Sequence, residues 1–271
     1  SLARFGLRPA IDFTGGSLLE IEIVAAETPL TTTDVEQVKP ADVEVESIQN
    51  SGVNQFILRT KEIDNQTKDQ VVADLSHELG RIEVLRFETV GPTLGRELLL
   101  KTLVAVAIVA SIIAIYVWRQ FSELKYGMAA ILAMLHDSLI LLGAFSILGV
   151  VYGIEVDVLF VTALLTTLSF SVHDTIVVFD RIRELTRTHR SLPFADLVNI
   201  AVLQTLSRSI NNSMTIIIML LSLFLLGGET IRWFALALLI GSVTGTYSST
   251  FIAAPLLLLW DDLKKLRKEG G

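Results

Sequence analysis

Five long apolar stretches fill most of the last two thirds of this chain, and they constrain its fold more than any other feature. They run over residues 98–118, 126–152, 156–179, 210–226 and 233–260, separated by short polar connections. A hydrocarbon core of about 30 Å takes about 20 residues of helix at ~1.5 Å each. One such run can be a buried soluble helix; five in succession need lipid as solvent. The pattern predicts an all-α membrane bundle over 97–260, followed by a short basic tail at 261–271.

Lys and Arg set the expected orientation, because positively charged loops stay cytoplasmic. Alternate connections carry them: Arg119 and Lys125; then Arg181, Arg183, Arg187, Arg190 and Arg208; then Lys264, Lys265, Arg267 and Lys268. The loop around Gly153 has no base, and the loop near Gly228 has only Arg232. The amino-terminal 96 residues and these two loops are therefore expected outside, with the C-terminus cytoplasmic. A domain so placed needs something to carry it across, so a sixth span upstream of Ser1 is expected. Trp118, Tyr126, Tyr152, Trp233 and Trp260 fall at span ends, where interfacial aromatics belong.

Residues 1–96 hold 16 acids against 9 bases, so the whole chain's net charge of −7 sits there. An acidic surface argues against nucleic acid, whose phosphates need a basic stripe. Residues 18–24, 43–48, 55–60 and 81–89 read as strands, with Asn50-Ser-Gly52 as a turn between the middle pair. Residues 67–79 put Val71, Val72, Leu75 and Leu79 on one helical face, with Gly80 as the stop. A short helix over 32–38 ends at Pro40. The order β-α-β-β-α-β predicts a small α+β ferredoxin-like domain, a fold that specifies no function by itself. His77 is read as a solvent-facing residue.

Ionisable residues inside spans are costly and carry functional hypotheses. His136-Asp137 lies near the middle of the second span, and His173-Asp174 lies in the third, followed by Asp180-Arg181 near its end. Asp180 and Arg181 most simply mark a helix leaving the membrane. Asp137 is read equally as packing or as function. Glu155 and Asp157, at the outer edge of the third span, are expected to be solvated or to form an outer proton entrance. Asp174 lies about two turns inward of Arg181 and needs a partner. The fourth apolar run is only 17 residues, ~26 Å, so the helix must recruit residues back to 208. That draws Arg208 into the membrane with Asn211, Asn212 and Ser213 nearby. A carboxyl balanced between burial and a guanidinium can load and release a proton; the same pair can equally be a static brace. Gly241-x-x-x-Gly245 with Ser248, Ser249, Ala253 and Ala254 reads as a close-packing helix face.

Cysteine is absent, which excludes disulfides and thiolate metal sites. No nucleophile–base pair, phosphate-binding glycine loop or metal cluster stands out, so neither a metal, nor a cofactor, nor an ordinary enzyme is expected.

Several motifs carry a resemblance. Ile11-Asp-Phe-Thr-Gly-Gly16, with Asp12, Gly15 and Gly16, and Val90-Gly-Pro-Thr-Leu-Gly-Arg-Glu97, with Gly91, Pro92 and Gly95, are similar to the SecF branch of the SecD/SecF family of the bacterial Sec translocon. So are Asp174-Thr-Ile-Val-Val-Phe-Asp-Arg-Ile-Arg-Glu184, Ser207-Arg-Ser209, Gly245-Thr-Tyr-Ser-Ser249 and Ala253-Ala-Pro255. The matches cover essentially the whole chain in order. The resemblance implies a relative of proton-driven RND transporters, in the bacterial cytoplasmic membrane. It implies work with SecD beside the SecYEG channel, with YajC and YidC as further candidate partners, on a translocating preprotein. It matches the family's proton-path aspartate to Asp174 and its arginine on the next helix to Arg208. Asp180 and Arg181 match the cytoplasmic end of that helix, and the family's six-helix plan fits the expected upstream span. Three departures stand out: the soluble domain's first helix is short, and two others fall in the spans. His173 occupies a position that is usually Asn, where an imidazole can share the proton or hydrogen-bond. Asn211-Asn212 replaces the usual Asn/Met-Thr.

The leading expectation is thus a non-enzymatic export subunit driven by the proton motive force. A proton-driven small-molecule exporter is one alternative, disfavoured by the single small external domain. A structural assembly or insertion factor, in which Asp174 and Arg208 only hold helices together, is another.

Overall fold

The computed structural model describes residues 2–24, 30–38, 43–121 and 123–269, with backbone alone at 3, 229, 230, 265 and 267–269. In chain order these form α1 (Leu2–Phe5), α2 (Ile11–Thr14), β1 (Gly16–Ile23), α3 (Thr32–Gln37), β2 (Val45–Gly52), β3 (Gln55–Thr60), α4 (Asn65–Leu79) and β4 (Ile82–Val90). Then follow α5 (Pro92–Gln120), α6 (Leu124–Tyr152), α7 (Val158–Thr188), α8 (Phe194–Leu226), α9 (Glu229–Ser248), a π-helical turn (Ser249–Ala253) and α10 (Ala254–Glu269). Pro40 and the side chains of Lys265, Arg267 and Lys268 lie outside the described residues. The chain divides into two compact units. One is Arg8–Leu103 with Val151–Asp157; the other is Ser1–Leu7, Val104–Val150 and Val158–Gly271.

The first unit is a four-stranded antiparallel sheet in the order β2-β3-β1-β4. That is the arrangement a ferredoxin-like β-α-β-β-α-β chain makes, as its sequence pattern predicts. Strict alternation along β1 buries Leu19, Ile21 and Ile23. They pack with Phe56 and Leu58 of β3, Val35 of α3, and Val71 and Leu75 of α4. Local chemistry moves two boundaries from their expected places. The Asp64 carboxylate accepts the Thr67 N–H at 2.8 Å, so α4 is capped two residues earlier than periodicity suggests. The β2–β3 turn falls at Val53-Asn54, with Asn54 at φ 56°, whereas Asn50–Gly52 is a register shift within the strand pair. His77 is exposed on α4.

The same unit contains the loop between α6 and α7. Val156 was expected to open the third span; instead it bridges the strand-like segment at Pro9. Its N–H donates to the Arg8 carbonyl at 2.7 Å, and its carbonyl accepts from Ala10 N–H at 2.9 Å.

The second unit is helical. Among the described residues five helices are long and apolar enough to cross a membrane: α5, α6, α7, α8 and the α9–α10 run, with mean hydropathy of 1.4–2.6. Helix α5 starts at Pro92, well before the apolar run, because proline suits the first helical turn. Helix α8 is continuous for 33 residues, about 50 Å by helical rise. The 17-residue apolar run is its second half, and Arg208 lies inside the helix. Tyr126, expected at an interface, is instead buried. Its ring lies 5.7 Å from Phe121 and 5.4 Å from Phe179, and the three aromatics tie the end of α5 and the start of α6 to the body of α7.

Helix α9 packs on α7 through its glycines. A Cβ on Gly241 would lie 1.9 Å from Thr167 Cγ2, and one on Gly245 would lie 3.2 Å from Ser171 Cα. The small-residue spacing is therefore a close-packing face. It also brings α9 hydroxyls to α7, and these build the site.

Candidate functional site: buried carboxylates among the spanning helices

Asp174 sits on α7 with 9% of its surface exposed. Thr246 of α9 directs its hydroxyl at Asp174 Oδ2 from 3.5 Å, and the adjacent His173 Nδ1 stands 3.8 Å from Oδ1. The His173 ring is mostly exposed. Thr246 also shares a 2.5 Å hydrogen bond with Ser213 of α8. Asp174 opens onto a small cavity of about 30 Å³, lined also by His173, Asn212, Ser213, Ser242 and Thr246. With its donor at the outer limit of hydrogen bonding, the carboxyl is loosely held and open on one side. Such a group can take up and lose a proton without breaking a strong bond.

Arg208 does not supply the partner that the sequence suggested. It is exposed on α8, and among the described residues no ion pair joins it to Asp174. Asn212, one turn further along α8, does reach the cavity. A residue four positions back on a helix lies on the same face, so Arg208 stands one turn from the cavity. Asp180 is exposed and accepts from Arg183 at 3.5 Å. Arg181 donates from Nε to Gln204 of α8 at 2.7 Å and from Nη1 to Glu184 at 2.5 Å, linking α7 to α8.

Asp137 of α6 is held quite differently. Its Oδ2 accepts from Ser171 Oγ of α7 at 2.5 Å and from Ser248 Oγ of α9 at 2.6 Å, while His136 Nδ1 lies 3.0 Å from Oδ1. The carboxylate is 5% exposed. Sequence reading missed the roles of Ser171, Ser248 and Thr246. Ser171-x-x-Asp174 was the available signal, because a spacing of three puts both side chains on one helical face.

Glu155, expected to be solvated, is largely buried. Its Oε1 lies 2.6 Å from Arg59 Nη1 of β3, with side-chain exposures of 17% and 15%. Burial pushes its carboxyl up to about 7, against the opposing pull of Arg59 and Arg8, and Asp157 adds to the rise.

Gly15, Gly16 and Gly95 form a contact of their own. A Cβ on Gly15 (φ 77°) would lie 2.7 Å from Pro92 Cα, and one on Gly95 would lie 2.8 Å from Gly15 N. One on Gly16 (φ 119°) would lie 2.8 Å from the Thr60 carbonyl oxygen. Only glycine lets α2, β1 and the start of α5 meet so closely. Asp12 precedes this contact on α2, and its charge acts on Arg86 of β4. Gly91 is less confined, with the Glu62 carboxylate 3.5 Å from where its Cβ would be.

These features define a multi-pass membrane protein with a small α+β domain and carboxylates buried among its spans. Residues 71–263 match the family described as protein export membrane protein SecD/SecF, C-terminal, and residues 1–26 match the SecD/SecF GG motif. The chain belongs to the SecD/SecF family. It is 42% identical over 266 residues to the protein translocase subunit SecF of Anaerolinea thermophila, covering 96% of this chain and 86% of that one. To the SecF subunit of Thermobaculum terrenum it is 42% identical, covering 98% and 88%. The crystal structure of SecDF, a translocon-associated membrane protein from Thermus thermophilus, superposes with a TM-score of 0.83 at 33% identity over 96% of this chain. The chain spans about a third of that longer SecDF chain, 35%.

Proposed function

We propose that this chain is an auxiliary, non-catalytic subunit of the Sec protein translocase that pairs with a SecD-type protein and uses the proton motive force to promote preprotein export. The naming of its relatives as SecF translocase subunits supports the translocase role. The continuity of SecD and SecF in the SecDF chain supports the pairing. In this reading the membrane is the bacterial cytoplasmic membrane and the channel served is SecYEG. Residues 1–96 form the extracytoplasmic domain, 97–260 the bundle and 261–271 the cytoplasmic tail.

The observation that carries proton coupling is Asp174: a buried, loosely held carboxyl inside a spanning helix, facing a polar cavity. An ionised carboxylate there is costly unless a proton or a cation answers its charge. Asp174 is the proton carrier. Arg208, one turn from the cavity on α8, supplies the cation when α8 shifts or turns on its axis, and His173 offers a second acceptor beside the carboxyl. Asn212 lines the proton's way in. His136 and Asp137 support the site from α6; Arg181 holds the end of α7 against α8 through Gln204, and Asp180 pairs with Arg183 within α7. Proton occupancy thereby changes which packing of α7 and α8 is stable, and that change is the mechanical output.

The test is preprotein export into membrane vesicles with and without a proton gradient, using Asp174→Asn and Arg208→Met. Both variants are expected to insert normally and to lose the gradient-stimulated component. Full stimulation in both would leave the site as a structural brace.

A further inference from the structure

Two buried carboxyls engage helix α7, and their hydrogen bonding differs. Asp174 has one hydroxyl at 3.5 Å; Asp137 has two on a single oxygen, at 2.5 and 2.6 Å, from two different helices. We propose that Asp137 is the positioning residue of the proton site: by clasping Ser171 and Ser248 it fixes the register of α7 and α9, and with it the approach of Thr246 to Asp174. The inference rests on the reading of Asp174 as the proton carrier and assigns Asp137 a distinct part.

Three observations carry it. At Gly241 and Gly245 the α7–α9 approach is close van der Waals packing against Thr167 and Ser171, to which the Asp137 clasp adds directional hydrogen bonds. The clasped serines lie beside the working residues, Ser171 three positions before Asp174 and Ser248 two after Thr246. Helix α9 also gives way to the π-helical turn immediately after Ser248, so the clasp sits where the regular ladder ends and a side-chain anchor has most to hold. From its own helix Asp137 meets His136 Nδ1 at 3.0 Å; among the described residues α7 and α9 present the Ser171 and Ser248 hydroxyls to it.

An acceptor role predicts that Asn can replace Asp at this position. The amide oxygen takes both serine hydroxyls and the amide nitrogen can donate to His136 Nδ1. The experiment uses the assembled translocon in vesicles and compares Asp137→Asn, Asp137→Leu and the Ser171→Ala/Ser248→Ala pair, with Asp174→Asn alongside. It reads gradient-stimulated export against pH and, separately, labelling of Asp174 by dicyclohexylcarbodiimide against pH. Expected is a fall of about tenfold in stimulated export for Asp137→Leu and the double serine variant. The pH midpoint of Asp174 labelling should move in both by about half a unit or more. Asp137→Asn should keep most of the stimulation and an unmoved midpoint. An inactive Asp137→Asn with normal membrane insertion would overturn the proposal, because Asp137 would then carry charge itself. Unmoved labelling in both clasp-breaking variants would overturn it too. Retained stimulation in Asp174→Asn would instead sink the proton-carrier reading, and the labelling curves of the other variants would still report the register.

Discussion

Arg59 of β3 holds Glu155 of the α6–α7 loop at 2.6 Å, although both side chains are largely withdrawn from water. Among the described residues the Arg59 Nε and Nη2 atoms find no acceptor, so the guanidinium is only partly satisfied. Burial outweighs the attraction and lifts the Glu155 carboxyl from an ordinary 4.5 to about 7.

A pH dependence follows from that shift. A glutamate raised in the folded state binds its proton more tightly there than when unfolded. Its contribution is therefore fully present below about pH 4.5 and is lost as pH rises to about 7. The span corresponds to about 3 kcal/mol, or about 2 kcal/mol once partial exposure to water is allowed for. Glu155→Gln should flatten the thermal-unfolding midpoint of the sheet between pH 5 and 8 and make the protein the more stable form at pH 8. A Gln variant that tracks the wild type across this range would refute the account.

The glycine contact makes a second prediction. Gly95→Ala drives a Cβ to 2.8 Å from backbone, and Gly15→Ala adds a positive φ to a 2.7 Å clash. Overpacking of this kind costs about 1–3 kcal/mol, with about 1 kcal/mol more for the strained φ. Gly91→Ala, whose new methyl meets only the Glu62 side chain at 3.5 Å, should be nearly neutral. Chemical denaturation of the three variants ranks them; equal midpoints for Gly91→Ala and Gly95→Ala would refute the contact.

The spans, the β-α-β-β-α-β order and the unusual status of Asp174 are all legible in the sequence, because each leaves a periodic or compositional trace. Contacts between elements leave none. The period of α7 tells which residues share a face with Asp174, but not whether that face meets Arg208 of α8 or Thr246 of α9. Close approach at Gly241 and Gly245 decided for α9. Glu155 looks solvated in the sequence because it stands at the outer edge of the third span, and the bridge at Pro9 and Val156 brings its segment to the sheet unit, where it meets Arg59. Tyr126 misled for a similar reason: a span-end aromatic can face lipid or, as here, two neighbouring rings.

Helix packing can be tested by compensation. Gly241→Ala puts a methyl carbon 1.9 Å from Thr167 Cγ2, so the variant should lower the thermal midpoint of the detergent-solubilised protein. Removing the opposing methyl and hydroxyl with Thr167→Gly should restore part of that loss in the double variant. Additive losses would mean that the two residues do not meet.

Thr246 touches Ser213 of α8 and Asp174 of α7, so its hydroxyl joins three helices at the cavity. Thr246→Val keeps the shape and removes the hydrogen bonding, leaving Ser213 without its partner there. A hydrogen bond to a charged group is worth about 1.5–3 kcal/mol. At 3.5 Å the Asp174 contact falls below that range, so the expected loss of gradient-stimulated export is about threefold to tenfold. Thr246→Ser keeps the hydroxyl and should recover most of the activity. Equal behaviour of Val and Ser at this position would show that the methyl, and hence packing alone, is what the site requires.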